Sequence, residues 1–256
     1  MEIRAHAAAR GWQWLVSGAA LFRRHAGLWL MILGASFLAL KILLLIPFIG
    51  PLFLVAMPVV LAGMMELCRA IEFGKPPAFG YLLAGFTRNT RSLLLLGALS
   101  ITCNLLVLAT MMALGGDALQ EIIRLSTQQQ LTPEQIEQIR AAAPGVLTAM
   151  LAGWVLSVVV MMALWFAPLL VYFDGLPPLM AMRASLIACY RSPGAFFVYG
   201  LVLFAVMVVA MPMAMAARML DLGLWLLAPV VVPSIYASYR DIFTAPEEPG
   251  EAPRQD

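Results

Sequence analysis

Six stretches of this chain contain no Asp, Glu, Lys or Arg and are dominated by Leu, Val, Ala, Met and Phe. They cover residues 25–40, 42–65, 92–116, 141–173, 192–217 and 222–239. Because a helix rises about 1.5 Å per residue, about 20 apolar residues cross the roughly 30 Å hydrocarbon core of a bilayer. Each stretch reaches or approaches that length, so the pattern predicts an all-α, polytopic membrane protein.

The composition agrees with a membrane environment. Hydrophobic residues make up 62% of the 256 residues and charged residues 12%, with a mean hydropathy of +0.91. That balance leaves too little polar surface to cover a soluble particle. The net charge is only +2, and the basic residues are dispersed, which excludes nucleic acid as a partner class. The predicted partner is the lipid bilayer, with another envelope membrane protein as a second candidate; no oligomeric state is indicated.

These stretches predict six transmembrane helices arranged as three hairpins. The expected bounds are 27–46, 51–71, 93–115, 146–171, 194–217 and 222–240. Residues 1–245 then form one integral membrane domain, and residues 246–256 form a disordered cytoplasmic tail. Upstream of the first span, Trp14 and Leu15 fall on one side of a helix while Arg10 and Gln13 fall on the other, which predicts an interfacial amphipathic helix.

The orientation follows from the distribution of Lys and Arg. If the N-terminus is inside, the inner segments are 1–24, 66–91, 174–191 and 240–256, and they carry twelve of the sixteen basic residues. The outer segments carry three, and Lys41 lies within the first span. This positive-inside asymmetry predicts that both termini are cytoplasmic.

A motif recurs along the chain and indicates an internal repeat. Residues 73–77 (FGKPP) after the second span match residues 173–178 (FDGLPP) after the fourth. Each is followed by an aromatic residue, an arginine and a new span, which predicts three tandem units of an interfacial helix and a hairpin. The middle unit carries an external helical insertion at 117–145, interpreted either as an extension of spans three and four on the outer leaflet or as a partner-docking hairpin. Within it, the sequence from Thr132 to Gln135 (TPEQ) predicts the start of a short helix.

Charged residues in or near the spans are candidate functional positions. Lys41 lies about 9 Å of helix from Pro47, so it can either snorkel to the outer interface or serve a substrate or proton. Glu66, Arg69 and Glu72 recur at i, i+3 and i+6 at the inner end of the second span. A local ion pair and a catalytic group are the two interpretations, of which the ion pair is the commoner.

Three further polar residues are singled out. Asn104, on span three, is the group expected to line a midplane cavity if the protein has one. Asp174 is expected to cap a helix beginning near Pro177. Arg183, within that helix, is expected to reach Asp174 or a lipid phosphate.

Chemical motifs are absent from the sequence. It contains no G-x-S-x-G, H-E-x-x-H or P-loop pattern, and His6 and His25 are isolated. The three cysteines form no C-x-x-C pair. We therefore predict no catalytic residue, no cofactor and no metal site, and interpret the chain as a non-enzyme.

Two segments resemble a known group of proteins. Residues 167–175 (APLLVYFDG) with residues 183–186 (RASL) resemble the segment shared by YciC-type inner-membrane proteins and the membrane domain attached to some bacterial glycerophosphodiesterases. Residues 11–15 (GWQWL) and 21–24 (LFRR), with Trp29, are similar to a related six-span family of proteobacterial inner-membrane proteins. The resemblance implies a bacterial inner-membrane location and a link to envelope upkeep, and it implies no catalytic residues.

Two classes of function remain open on the sequence. The first is a non-enzymatic envelope scaffold or accessory factor that acts through membrane partners or lipids. The second is a small permease or lipid flippase, since proline-broken helices and repeats can create midplane binding sites. A polar midplane cavity would favour transport, whereas a solid apolar core would favour the scaffold.

Overall fold

The computed structural model describes residues 5–44, 49–126, 132–216 and 220–244, and this part of the chain is helical without any strand. Its α-helices are α1 (Arg10–Arg24), α2 (Ala26–Leu44), α3 (Ile49–Glu72), α4 (Thr90–Ser126), α5 (Pro133–Trp165), α6 (Ala167–Phe173), α7 (Pro178–Arg191), α8 (Pro193–Ala216) and α9 (Leu220–Phe243), with a 3₁₀-helix, η1 (Phe79–Phe86), between α3 and α4. The predicted all-α class is confirmed.

Several helices are long and apolar enough to cross a membrane. Among the residues that the structure describes, three such segments occur: Leu52–Glu72, Thr90–Gln120 and Ile136–Phe173. A fourth arises if Pro178–Arg191 and Pro193–Val209, bent by 87° to each other, form one broken span. In α2 the described apolar segment, Ala26–Ser36, is shorter. The predicted turn between the first two spans falls mostly on residues 45–48, outside the described residues, as does the tail.

The fourth predicted span consists of two helices separated by a break at Phe166. The hydroxyl of Ser185 on α7 is inserted into the break: it accepts from the Phe166 N–H at 3.0 Å and donates to the Met162 carbonyl at 2.6 Å. These two backbone groups would bond each other in a continuous helix. Pro168 follows at once and has no N–H to extend the ladder. An inserted side chain and a proline are recognised causes of such kinks.

Three short helices each pack on one long helix. Gly18 of α1 lies against Ser234 of α9, Gly85 of η1 against the Val59 carbonyl of α3, and Ser185 of α7 against the break after α5. A Cβ atom on either glycine would collide with the facing backbone, so glycine permits this approach. The first short helix therefore packs on the last long helix, and the chain closes on itself.

The two copies of the sequence motif adopt similar turns. Gly74 after α3 and Gly175 after α6 both have φ of +66°, the left-handed conformation that ends many helices at glycine. The Lys75 N–H donates back to Ala70, and the Leu176 N–H donates back to Leu170. In each case a proline pair follows and directs the chain away from the helix that has ended.

The apolar core surrounds α6. Residues 167–172 are all buried, and α6 packs against α3, α4 and α7. Trp29, Met65, Leu96 and Phe166 complete the core as fully buried large side chains.

Away from the core around α6, α4 and α5 pack mainly on each other. Leu106, Leu147 and Trp154 are each more than half exposed, as expected for a surface that faces lipid. Residues 117–126 continue α4 without a break, and α5 begins at Pro133 as the proline signal predicts. The predicted short helix there is in fact the first part of a 33-residue helix. Alanines 141–143, all good helix formers, carry it onward toward the span.

Candidate functional site

Polar side chains from distant parts of the chain gather at one end of the bundle. Because charged groups are costly within a bilayer, the sequence places them at helix ends, and the fold brings those ends together. We call this cluster the polar end; it comprises His6, Arg10, Trp14, Arg24, Arg69, Glu72, Asp174, Tyr236, Tyr239, Arg240 and Asp241.

Glu72 joins the end of α3 to α9. The Tyr236 hydroxyl donates to one oxygen of the Glu72 carboxylate at 2.7 Å. The Arg240 guanidinium lies 2.6 Å from the other oxygen. Both oxygens therefore have donors, and charge-assisted bonds of this kind are stronger than neutral ones.

Asp241 joins α9 to the N-terminal segment. Its carboxylate accepts from the Trp14 indole N–H at 2.8 Å and lies 3.6 Å from Arg10. His6 contacts both the Asp241 backbone carbonyl, at 3.1 Å, and its carboxylate, at 3.7 Å. The backbone N–H of His6 also donates to the Ser192 hydroxyl, which connects the N-terminal segment to the start of α8.

Asp174 does not cap α7, contrary to the sequence prediction. It accepts a 2.6 Å hydrogen bond from the Tyr239 hydroxyl, and α7 begins after Pro177 without a side-chain cap. Asp174 lies three residues before the N-cap position, which Pro177 occupies, whereas a phenol on α9 lies within its reach. Although the residue as a whole is exposed, its carboxyl is partly enclosed, and this burial raises the pKa of Asp174 while the Tyr239 bond opposes the rise.

Arginines at the polar end also lie over aromatic rings. Arg69 lies 5.6 Å from the centre of the Phe173 ring, and Arg240 lies 5.9 Å from that of Phe73. These are cation–π distances. The two rings are the first residues of the repeated motif, so the motif supplies a stacking surface for each arginine.

Cavities open beside these residues. One, of about 590 Å³, is a cleft between α1 and the ends of α3 and α9. We call it the α1 cleft; it is lined by Arg10, Gln13, Trp14, Ser17, Ala20, Leu21, Arg24, Glu72, Tyr236, Ala237, Arg240, Asp241 and Thr244. A smaller cavity of about 260 Å³ adjoins it and shares Tyr236, Arg240 and Thr244. On the other side of α1, an apolar groove of about 250 Å³ runs between α8 and α9.

Three residues singled out in the sequence, Arg69, Glu72 and Asp174, belong to the polar end. Glu66 lies 4.0 Å from Arg69, the geometry of a local ion pair. Asn104 donates to the Ser100 carbonyl of its own helix at 2.8 Å and lines none of the three cavities described above. Arg183 is exposed on α7 and forms no ion pair with Asp174, and the side chain of Lys41 on α2 lies outside the described part.

Sequence reasoning missed the α9 residues of the site. Tyr236, Tyr239 and Arg240 stand at i, i+3 and i+4, so they share one helical face just where the last apolar stretch ends. The available signal was this cluster of aromatic residues with polar tips at the end of an apolar stretch. Their partners Glu72 and Asp174 lie 164 and 65 residues away along the chain and carry no local cue.

A protein of Burkholderia thailandensis, named a probable inner membrane protein, is 32% identical to this chain over 268 residues. The match covers 98% of this chain and 96% of the relative. No protein-family model and no solved structure matches the chain. The resemblance to YciC-type proteins therefore stays a prediction.

Proposed function

Because this chain belongs to the same family as that probable inner membrane protein, we propose that it is a non-enzymatic scaffold or accessory factor of the bacterial inner membrane. It acts through membrane partners or lipids. The observation that carries this proposal is the way in which the break between α5 and α6 is closed. Ser185 bonds both backbone groups at Phe166, and the Cys189 thiol lies 3.6 Å from the same Met162 carbonyl.

A transporter typically leaves such half-helix ends directed at a central site for an ion or substrate. Here the groups at the break are occupied by side chains of α7. The polar residues on span three bond within their own helix, as Asn104 does with Ser100, and Thr102 with Ala98. The cavity of about 590 Å³ lies at the polar end, beside α1, among charged groups. This arrangement favours a packed bundle with a functional surface at one end.

We further propose six spans, formed by α2, α3, α4, α5 with α6, α8 and α9. Three tandem units would begin at α1, η1 and α7. The matching turns at Gly74 and Gly175 support this repeat. So do the single residues that join α1 to α2 and α7 to α8: His25 (φ −142°, ψ 50°) and Ser192 (φ −127°, ψ 47°) have similar backbone conformations. With both termini in the cytoplasm, the polar end faces the inner leaflet.

A small permease or lipid flippase is the second candidate. One observation favours it: the indole N–H groups of Trp29 and Trp165 are buried without an acceptor among the residues described. Buried polar groups are nearly always hydrogen-bonded, so an orphaned donor is a place where a passing polar ligand could bind.

The test compares the two candidates directly. The full chain is purified in mild detergent, and the proteins and lipids recovered with it are identified against an unrelated inner-membrane protein of similar size. The same preparation is reconstituted into vesicles that contain a fluorescent phospholipid, and its movement between leaflets is followed by dithionite quenching. The scaffold proposal predicts specific recovery and no faster lipid movement than in protein-free vesicles. If the phospholipid moves faster between leaflets, and heat denaturation of the protein abolishes the increase, the scaffold proposal is wrong and the flippase is favoured.

A further inference from the structure

The α1 cleft has the dimensions of a ligand site. Its volume of about 590 Å³ falls within the range of roughly 300–1,000 Å³ typical of small-molecule pockets. Its walls come from three helices, so it is not a dent in a single element. Gln13, Ser17 and Thr244 add neutral hydrogen-bonding groups to its charged lining.

The charge of the cleft favours an anion. Three guanidinium groups line it, on Arg10, Arg24 and Arg240, against two carboxylates, on Glu72 and Asp241. Glu72 lies 2.6 Å from Arg240, and Asp241 lies 3.6 Å from Arg10, so these charges balance each other. Arg24 leaves the cleft with an excess positive charge, and an anion would add an acceptor to guanidinium groups that each have several N–H donors.

The first turn of α1 contains no acidic residue that would oppose an anion near Arg10. At the last turn, Arg23 and Arg24 follow each other, but only Arg24 lines the cleft.

The position of α1 narrows the chemistry of the anion. One side of the helix lines the charged cleft, and the other side, with Trp12 and Val16, lines the apolar groove against α8 and α9. A helix with these two sides lies at the level where a bilayer meets water, which is the depth of lipid phosphates. Arginine forks match phosphate oxygens bidentately.

We propose that the α1 cleft binds a phosphate group through Arg10, Arg24 and Arg240. The inference rests on the proposed function and deepens it by naming the ligand class. The phosphate belongs either to a phospholipid headgroup of the inner leaflet or to a free phosphate ester, and the experiment separates these sources.

The full chain in mild detergent is examined by native mass spectrometry with two probes that have the same acyl chains, phosphatidylglycerol and diacylglycerol. Only the first carries a phosphate. We expect phosphatidylglycerol to be retained at least about tenfold more than diacylglycerol. Glycerol 1-phosphate is then added in excess: if it displaces the lipid, a free phosphate ester is the ligand class, and if it does not, the ligand is the lipid headgroup. Equal retention of the two lipids would overturn the proposal.

Variants locate the site. Arg10→Gln with Arg24→Gln should lower phosphatidylglycerol retention about tenfold, while Arg23→Gln, which removes the same charge one residue outside the cleft, should not. If the double variant fails to fold, Arg24→Gln alone is used, because Arg24 is exposed at the end of α1. An equal loss in Arg23→Gln would refute the cleft and indicate general attraction to charge. If the protein shows no preference for the phosphate-bearing lipid but still recovers specific partners, the α1 cleft assignment fails and the scaffold proposal stands. If it shows neither the lipid preference nor specific partner recovery, both proposals fail.

Discussion

Ser185→Ala should destabilise the bundle by about 2–4 kcal/mol, because it removes the hydroxyl that bonds both backbone groups at the break between α5 and α6. Phe166 is fully buried, so its N–H would lose its acceptor without access to water. A buried unsatisfied donor costs about 1–3 kcal/mol, and the lost bond to the Met162 carbonyl adds about 1 kcal/mol. Alanine introduces no steric clash, so the change measures the hydroxyl alone.

Cys189 allows the contribution of the bond to the Met162 carbonyl to be measured separately from that of the bond to the Phe166 N–H. Its thiol lies 3.6 Å from the Met162 carbonyl, which therefore keeps a weak donor in Ser185→Ala. Cys189→Ala alone should cost little, since the Ser185 hydroxyl remains at 2.6 Å. In the double variant the carbonyl loses both donors, and the cost should exceed the sum of the single changes by about 0.5 kcal/mol or more.

The assay is SDS titration of the purified protein in detergent micelles, with the free energy of unfolding taken from far-UV circular dichroism. Ser157→Ala is the matched control, because Ser157 is exposed on α5, the helix that ends at the break. Its cost should stay below about 0.5 kcal/mol, as for most surface substitutions. If Ser185→Ala costs no more than Ser157→Ala, the hydroxyl does not support the break and the argument against a transport site loses its basis.

Four further outcomes are expected. Single cysteines at Lys75 and Arg183, in a cysteine-free background, should resist an impermeant maleimide in intact cells, and ready labelling would reverse the proposed orientation. Lys41→Leu should leave expression and phenotype nearly unchanged if the lysine snorkels; a phenotype like that of a gene deletion would instead favour transport. Burial raises the pKa of Asp174 above its ordinary value of 3.8. The protonated carboxyl therefore stabilises the folded state below pH 3.8, and this contribution is lost as the pH rises through the raised pKa. Asp174→Asn should flatten that part of the curve of stability against pH, measured by thermal unfolding. Replacing 119–141 with a Gly/Ser linker should leave the elution volume in size-exclusion chromatography indicative of a folded monodisperse protein but lower partner recovery, and equal recovery would leave that segment as a simple extension of α4 and α5.

Local patterns predicted much of the helical structure. The buried face of α1, with Trp14, Leu15 and Leu21, follows from apolar residues at helical spacing, and the start of α5 follows from Pro133. The turns after α3 and α6 follow from glycine and proline in the repeated motif. In each case the determining residues lie within a few positions of one another, so the sequence alone contains the necessary information.

The site depended on contacts that no local pattern contains. The sequence placed Trp14 on one side of an interfacial helix, but it gave no sign that the indole would be only 3% exposed and would bond Asp241, 227 residues away. Asp174 was expected to cap the helix that follows it in sequence, but it accepts a hydrogen bond from the phenol of Tyr239, 65 residues away. The break at Phe166 required both Pro168 and a serine on the next helix. Such pairings are decided by tertiary packing, which overrides local preference.

The packing of α1 on α9 also imposes an order on biosynthesis. At roughly 5–20 residues per second, the ribosome needs about 10–45 s to make the 227 residues that separate Trp14 from Asp241. During that interval α1 exists without the helix that later covers its apolar face, and the bilayer surface is the natural place to shelter it. In a chain truncated before α9, the apolar face of α1 would stay uncovered by protein. Trp14 would then be exposed to lipid and to proteases.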